Sequence, residues 1–172
     1  MSLQIANISL IGWAHTLFTL LALGLATKIL FRPKGTPIHK ELGRIYIVSL
    51  FLGSALSLTI YRTGSFFFPH VLAIATMVLL VIGYLAARFH QPKYLWKHIH
   101  LSAMILSLYM IFGGGVNEVF LRVGYLREHV GSGGTLALTH ATIFLFFMAL
   151  VLVFNIAAIV SSLTRRRAKV AA

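Results

Sequence analysis

Apolar residues run almost unbroken through five stretches of the chain, at about 8–31, 37–61, 69–88, 96–120 and 135–163. A helix needs roughly 20 such residues to cross a hydrocarbon core about 30 Å thick. Each stretch meets that requirement. The connections between them are short and polar: RPKGT, RTGSFFF, FHQPKYL and LRVGYLREHVGSGG. The pattern predicts an all-α fold, a polytopic membrane helical bundle of five transmembrane helices forming a single domain over residues 1–172. The second helix carries the clearest start signal, Thr36 followed by Pro37. The hydroxyl can cap the first turn, and proline's fixed φ and missing N–H suit that turn. The fourth stretch is the least regular, because Gly113, Gly114 and Gly115 weaken a helix and allow a backbone or flat ligand to come close.

Composition agrees with the pattern. A mean hydropathy of +0.90, with 59% hydrophobic and 10% charged residues, is incompatible with a soluble domain of 172 residues. The formal charge of +12 could point to nucleic acid. The basic residues, however, lie between apolar runs, where membrane topology accounts for them. Lys28, Arg32, Lys34, Lys40, Arg44, Arg88, Lys93, Lys97, Arg165, Arg166, Arg167 and Lys169 fall on one side of the bundle, and only Arg62, Arg122 and Arg127 on the other. The positive-inside rule then sets the N-terminus outside and the C-terminus inside, with the plasma (inner) membrane as the location. Trp13, Tyr94, Trp96 and Tyr125 fall near the interfaces, as belt aromatics do. The first ten residues lack a basic region, so the first stretch is expected to be a retained helix rather than a signal peptide.

The chain contains no Cys and no Asp, and its carboxylate side chains are Glu41, Glu118 and Glu128. Disulfides, thiolate metal sites and covalent c-type haem attachment are therefore excluded. A catalytic pair of carboxylates has little material. The sequence shows no nucleophile with an adjacent base and no phosphate-cradling loop, and GSGG at 131–134 reads as an outer loop. Glu118 and Arg122 are spaced to pair along one helix.

Eight histidines remain to be explained in this apolar chain. Ionisable groups within membrane spans are costly and usually functional. His39, His70, His100 and His140 fall on four consecutive predicted helices, alternating between the inner and outer ends. In an antiparallel bundle, the second and fourth helices can face each other at the inner side, and the third and fifth at the outer side. Two imidazoles facing across a flat ring system is the arrangement of bis-histidine haem ligation, for which an apolar interior is suited. One b-type haem near each face would make a transmembrane electron path between redox partners. The bland alternative is that these histidines cap helices or sit among headgroups, which is the expected role of His90, His98 and His129.

Two further readings stand beside this one. His15 lies roughly 10 Å into the first span. With His70, His140 and Glu118 it would supply nitrogen and oxygen ligands for zinc or another transition metal at the outer side. Alternatively the chain is a structural subunit of a larger membrane complex, or a homo-oligomer. Small residues such as Gly53, Ser54 and Ser57 would then serve helix–helix contacts.

The chain resembles a family of small bacterial multi-pass membrane proteins of unknown function. The resemblance is carried by GWAH at His15, KGTPIHKELGR from Lys34 to Arg44, PHVLA at His70, HLSAM from His100 to Met104, and NEVFLR from Asn117 to Arg122. The order of histidines also resembles that of the two-haem, ascorbate-dependent transmembrane cytochromes b. That resemblance implies an inner haem on His39 and His100 and an outer one on His70 and His140. It further implies that Lys40 and Arg44 help to bind an anionic reductant near the inner haem. This chain departs from those cytochromes in having five predicted spans rather than six.

Overall fold

The computed structural model describes residues 8–61, 66, 68–123, 125–126 and 134–171. Five helices make up almost all of it: α1 (Leu10–Leu30), α2 (Pro37–Ser57), α3 (Phe68–Phe89), α4 (Trp96–Arg122) and α5 (Thr135–Ala171). The chain is thus all-helical, as the hydropathy pattern predicts. Arg62, Arg127, Glu128, His129 and residues 131–133 of the GSGG stretch lie outside the described residues.

Local chemistry explains where these helices begin and end. At the start of α1, Ser9 accepts from the Gly12 N–H at 3.1 Å. At its end, the Arg32 N–H donates to the Ile29 carbonyl at 3.2 Å, and Lys34 Nζ donates to the carbonyls of Ile29 and Leu30 in the last turn. Partial burial in this position lowers the Lys34 ammonium pKa. Gly35 turns the chain with φ +82°, a region open to glycine at little cost. Thr36 then caps α2 by accepting from the His39 N–H at 3.2 Å, with Pro37 in the first turn. This is the start signal read in the sequence.

Among the described residues, four helices are long and apolar enough to cross a membrane: α1, α3, α4 and the Thr135–Thr164 portion of α5. α2 falls short of that measure because Lys40, Glu41 and Arg44 occupy its first two turns. It also ends at Ser57, earlier than the apolar run. α5 is longer than expected, and its 37 residues would extend about 55 Å at 1.5 Å per residue. α4 continues through the three glycines to Arg122 instead of unwinding at them.

Neighbouring helices in the chain pack on one another, and α1 also touches α4. The main core joins Ala22, Leu25 and Ala26 of α1 to Tyr46 and Leu50 of α2 and Leu80 of α3, with Met104, Leu108 and Ile111 of α4 against it. A second cluster joins Ile105 and Tyr109 of α4 to Phe147 of α5. Lipid is as apolar as these side chains, so close backbone approach matters more here than in water. Two glycines allow it. At Gly53 a Cβ would stand 3.1 Å from the Thr19 methyl, and at Gly83 it would stand 3.0 Å from the Ala103 Cβ. Gly53 and the buried Ser54 therefore serve packing within the chain itself.

Hydroxyl groups along the helices are satisfied internally, as an apolar surrounding requires. Thr16 donates to Gly12 O, Thr19 to His15 O, Thr76 to Leu72 O and Ser57 to Ser54 O, each on its own helix. The turn between α3 and α4 shows the interfacial chemistry expected of a basic loop. Lys97 lies over the Trp96 ring at 5.4 Å and Lys93 over Tyr94 at 6.0 Å. His90 adopts φ 54° in this turn and sets its ring 4.5 Å from that of Trp96, a local packing role.

Candidate functional site

The backbones of α2 and α4 do not pack directly among the described residues, yet their polar side chains meet. Tyr46 Oη and Ser107 Oγ are 2.7 Å apart in a buried hydrogen bond. One step of seven residues earlier on each helix, the rings of His39 and His100 meet in a T-shaped arrangement, with centroids 6.5 Å apart and planes at 83°. Seven residues are two helical turns, about 10 Å. Both contacts are therefore rungs between one stripe of α2 and one stripe of α4, in the same register. The two helices run parallel, and the Tyr46–Ser107 bond holds the alignment that sets the two imidazoles opposite each other.

The hydrogen bonds fix which nitrogen each ring presents. His100 Nδ1 donates to the Gly83 carbonyl at 2.9 Å, which leaves Nε2 as the unprotonated nitrogen of the neutral ring. A carbonyl partner of this kind is what orients a metal-ligating histidine. The close α3–α4 approach at Gly83 places that carbonyl within reach. On α2, His39 Nδ1 is buried without a hydrogen-bond partner. Of the histidines singled out in the sequence, His39 and His100 are the pair whose rings come close across two helices, so they are the residues that would hold a haem or metal if one binds at this end. Lys40 and Arg44 are exposed on the first two turns of α2, beside His39.

The outer end is built differently. A cavity of about 520 Å³ lies among α1, α2, α3 and α4, and its wall includes His15, Ser54, Ser57, His70, Thr76, Gly114, Asn117 and Glu118. His15 Nδ1 donates to the Gly53 carbonyl at 2.8 Å, so its Nε2 is the acceptor. His70 is 2% exposed, with the rings of Tyr61 and Phe66 stacked on it at 4.9 Å each. Glu118 pairs with Arg122 at 2.7 Å, the i,i+4 bridge expected from their spacing. His140 does not line the cavity. Its Nε2 donates to Asn117 Oδ1 at 3.2 Å, and its ring sits over Gly113 and against Phe68 at 5.8 Å.

The sequence-derived residues thus separate into groups. His39 and His100 are brought together. His15, His70 and Glu118 share one cavity wall while His140 is turned toward Asn117, and no three His or Glu side chains gather to hold a metal ion among the described residues. The four residues proposed for an outer metal site, His15, His70, His140 and Glu118, are thus not all gathered at one point among the described residues. His70 and His140 likewise have Tyr61, Phe66 and Asn117 as their close partners. His98 is directed to α5, where its Nδ1 bonds Asn155 Oδ1 at 2.6 Å, away from the His39–His100 pair. Three participants were missed in the sequence: Tyr46, Ser107 and Asn117. The signal for the first two was present, since Tyr46 and Ser107 each follow a histidine by seven residues.

No family model, curated protein or solved structure matches the chain.

Proposed function

We propose that this integral membrane protein binds a b-type haem between His39 and His100 and carries electrons within the membrane. The observation that carries the reading is the pair of neighbouring imidazoles on parallel helices, one with a buried partnerless Nδ1 and the other held by the Gly83 carbonyl. A haem held there would supply a one-electron couple inside an apolar bundle. The protein's own part is to fix ring orientation and tautomer, to hold the two helices in register through Tyr46 and Ser107, and to exclude water with core residues of α1 to α4. Lys40 and Arg44 give the entrance a positive field suited to an anionic donor or acceptor. In this reading α2 also crosses the membrane, its charged first turns lying in the inner interface, with the N-terminus outside and the C-terminus inside.

An absorbance spectrum of the protein purified in mild detergent, before and after dithionite, tests the assignment. A sharpened α-band and a shifted Soret peak are expected on reduction. His39→Ala and His100→Ala should each remove that absorbance while retaining helical circular dichroism. A colourless protein after expression with added haem precursor, or full haem content in both variants, sinks it.

A further inference from the structure

Between α3 and α5 the bundle leaves an open groove at the end that carries the α3–α4 turn. Both helices pack on α4, and among the described residues they do not pack on each other. The gap has a volume of about 380 Å³, with α4 as its floor. Leu79 and Ile82 of α3 form one wall, and Leu95, Ile99 and Leu106 of α4 give the floor its apolar bulk. A polar cluster of His98, Ser102 and Asn155 interrupts it. Asn155 Nδ2 donates to Ser102 Oγ at 3.0 Å and to the Val151 carbonyl at 2.8 Å, so Oδ1 is its acceptor. The 2.6 Å bond to Oδ1 therefore takes its proton from His98 Nδ1 and leaves His98 Nε2 for another partner. Either charge state of the ring keeps that bond, and in the imidazolium Nε2 is a second donor. Cations stand at the same end. Arg88 is exposed in the last turn of α3, its guanidinium over the Phe89 ring at 5.8 Å. Phe89 follows Ile82 by seven residues and so continues the groove's α3 wall. Lys97 precedes His98 in the first turn of α4, and Lys93 stands in the turn before it.

We infer that this groove binds an anionic phospholipid, one acyl chain lying along Leu79, Ile82, Ile99 and Leu106 and the phosphate accepting from His98 Nε2 and the Arg88 guanidinium. Basic residues at a membrane surface attract anionic lipid, and charge-assisted hydrogen bonds to phosphate are the stronger kind. A zwitterionic lipid brings a cationic headgroup to the same cluster of Arg88, Lys93 and Lys97, which disfavours it. A helix of a second copy is a poorer occupant, because membrane helices approach one another through small residues. Here the small residues are already used within the chain: Ala103 lies against Gly83, and Ser102 bonds Asn155. The bulky side chains left on the floor keep a helix backbone away and accept a flexible acyl chain.

Native mass spectrometry of the delipidated full chain in detergent tests this, with phosphatidylglycerol and phosphatidylcholine of identical acyl chains as probes. The first phosphatidylglycerol is expected to bind about tenfold more tightly than the first phosphatidylcholine. Arg88→Gln and His98→Phe should each weaken phosphatidylglycerol about fivefold, the worth of one basic contact near the surface. Ile82→Trp, which fills the groove from an exposed position, should weaken it likewise. Lys28→Gln, in the last turn of α1 and away from the groove, should leave it unchanged. Circular dichroism melts check each variant, and if His98→Phe unfolds because Asn155 loses its partner, Arg88→Gln and Ile82→Trp decide. Equal affinity for the two lipids overturns the inference, as does unchanged phosphatidylglycerol affinity in Arg88→Gln and Ile82→Trp. An equal loss in Lys28→Gln would mean a diffuse positive field and overturns it too. So does a dimer of chains that Ile82→Trp dissolves, or full competition by soluble glycerophosphoglycerol, which has the phosphate without the acyl chains. The readout is bound mass, so the outcome is independent of the haem reading.

Discussion

Single side chains in this protein are distinguished by what their second polar atom does. His98 and His100 are two residues apart, so they point to different faces of α4, and the structure separates their roles accordingly. His98 bonds Asn155 and His100 faces His39. His98→Ala is expected to keep the full haem-to-protein ratio that His100→Ala loses, measured by pyridine haemochrome assay on matched preparations. The buried Tyr46–Ser107 bond belongs to the same scale. Tyr46→Phe removes one hydroxyl, while Ser107 keeps its bond to Met104 O at 2.8 Å and so is not stranded. The expected loss is about 0.5 to 1.5 kcal/mol, read as a lower midpoint in SDS titration from mixed micelles. A loss several times larger would mean that the pair sets the fold rather than the register.

At the scale of helices, the glycines divide by what surrounds them. Gly83 lies where α3 meets α4, and a side chain there would press on Ala103 and on the end of Met104. Gly83→Val is therefore expected to destabilise by about 1 to 3 kcal/mol through overpacking. It should also lower haem content, because the carbonyl that orients His100 moves with the backbone. Gly43, in α2, has open space around it. Gly43→Ala should stabilise by roughly 0.5 to 1 kcal/mol, since alanine loses less backbone entropy in a helix. Both shifts can be read in one SDS-titration series. If the two variants behave alike, close packing at Gly83 is not what holds α3 to α4.

For the molecule as a whole, topology is directly accessible because the chain has no cysteine to remove. Single-cysteine variants at Lys34, Thr59, Lys93 and Gly134 sample the connections on either side of the helices. An impermeant maleimide is expected to label Thr59→Cys and Gly134→Cys in intact cells, and Lys34→Cys and Lys93→Cys only after permeabilisation. Labelling of Lys34→Cys and Thr59→Cys from the same side would show that α2 does not cross. The inverted pattern would reverse the orientation inferred from the basic residues. Much of the surface is apolar on all sides, with Leu138, Leu145 and Leu152 of α5 among the exposed residues. That is the expected surface for helices that meet lipid.

The sequence by itself determined that there are five helical stretches and roughly where they lie, though not where α2 and α5 end. Runs of apolar residues cannot be kept in water, and Thr36 and Pro37 mark the start of α2 because their backbone preferences and side-chain acceptor act locally. It also determined that His39 and His100 start alternate helices, since that is a matter of counting residues per crossing. Only the tertiary structure decided which stripe of α2 meets which stripe of α4, and that Tyr46 and Ser107 lock that register. It likewise turned His140 toward Asn117 instead of toward His15 and Glu118. Helical periodicity names the residues sharing a face but not the face that lies opposite. That choice depends on the fit of Gly53 and Gly83 against neighbouring helices, and on carbonyls brought within reach by that fit. The outer cavity, for the same reason, could not be read from residue order: it exists because small residues of four helices converge at one level.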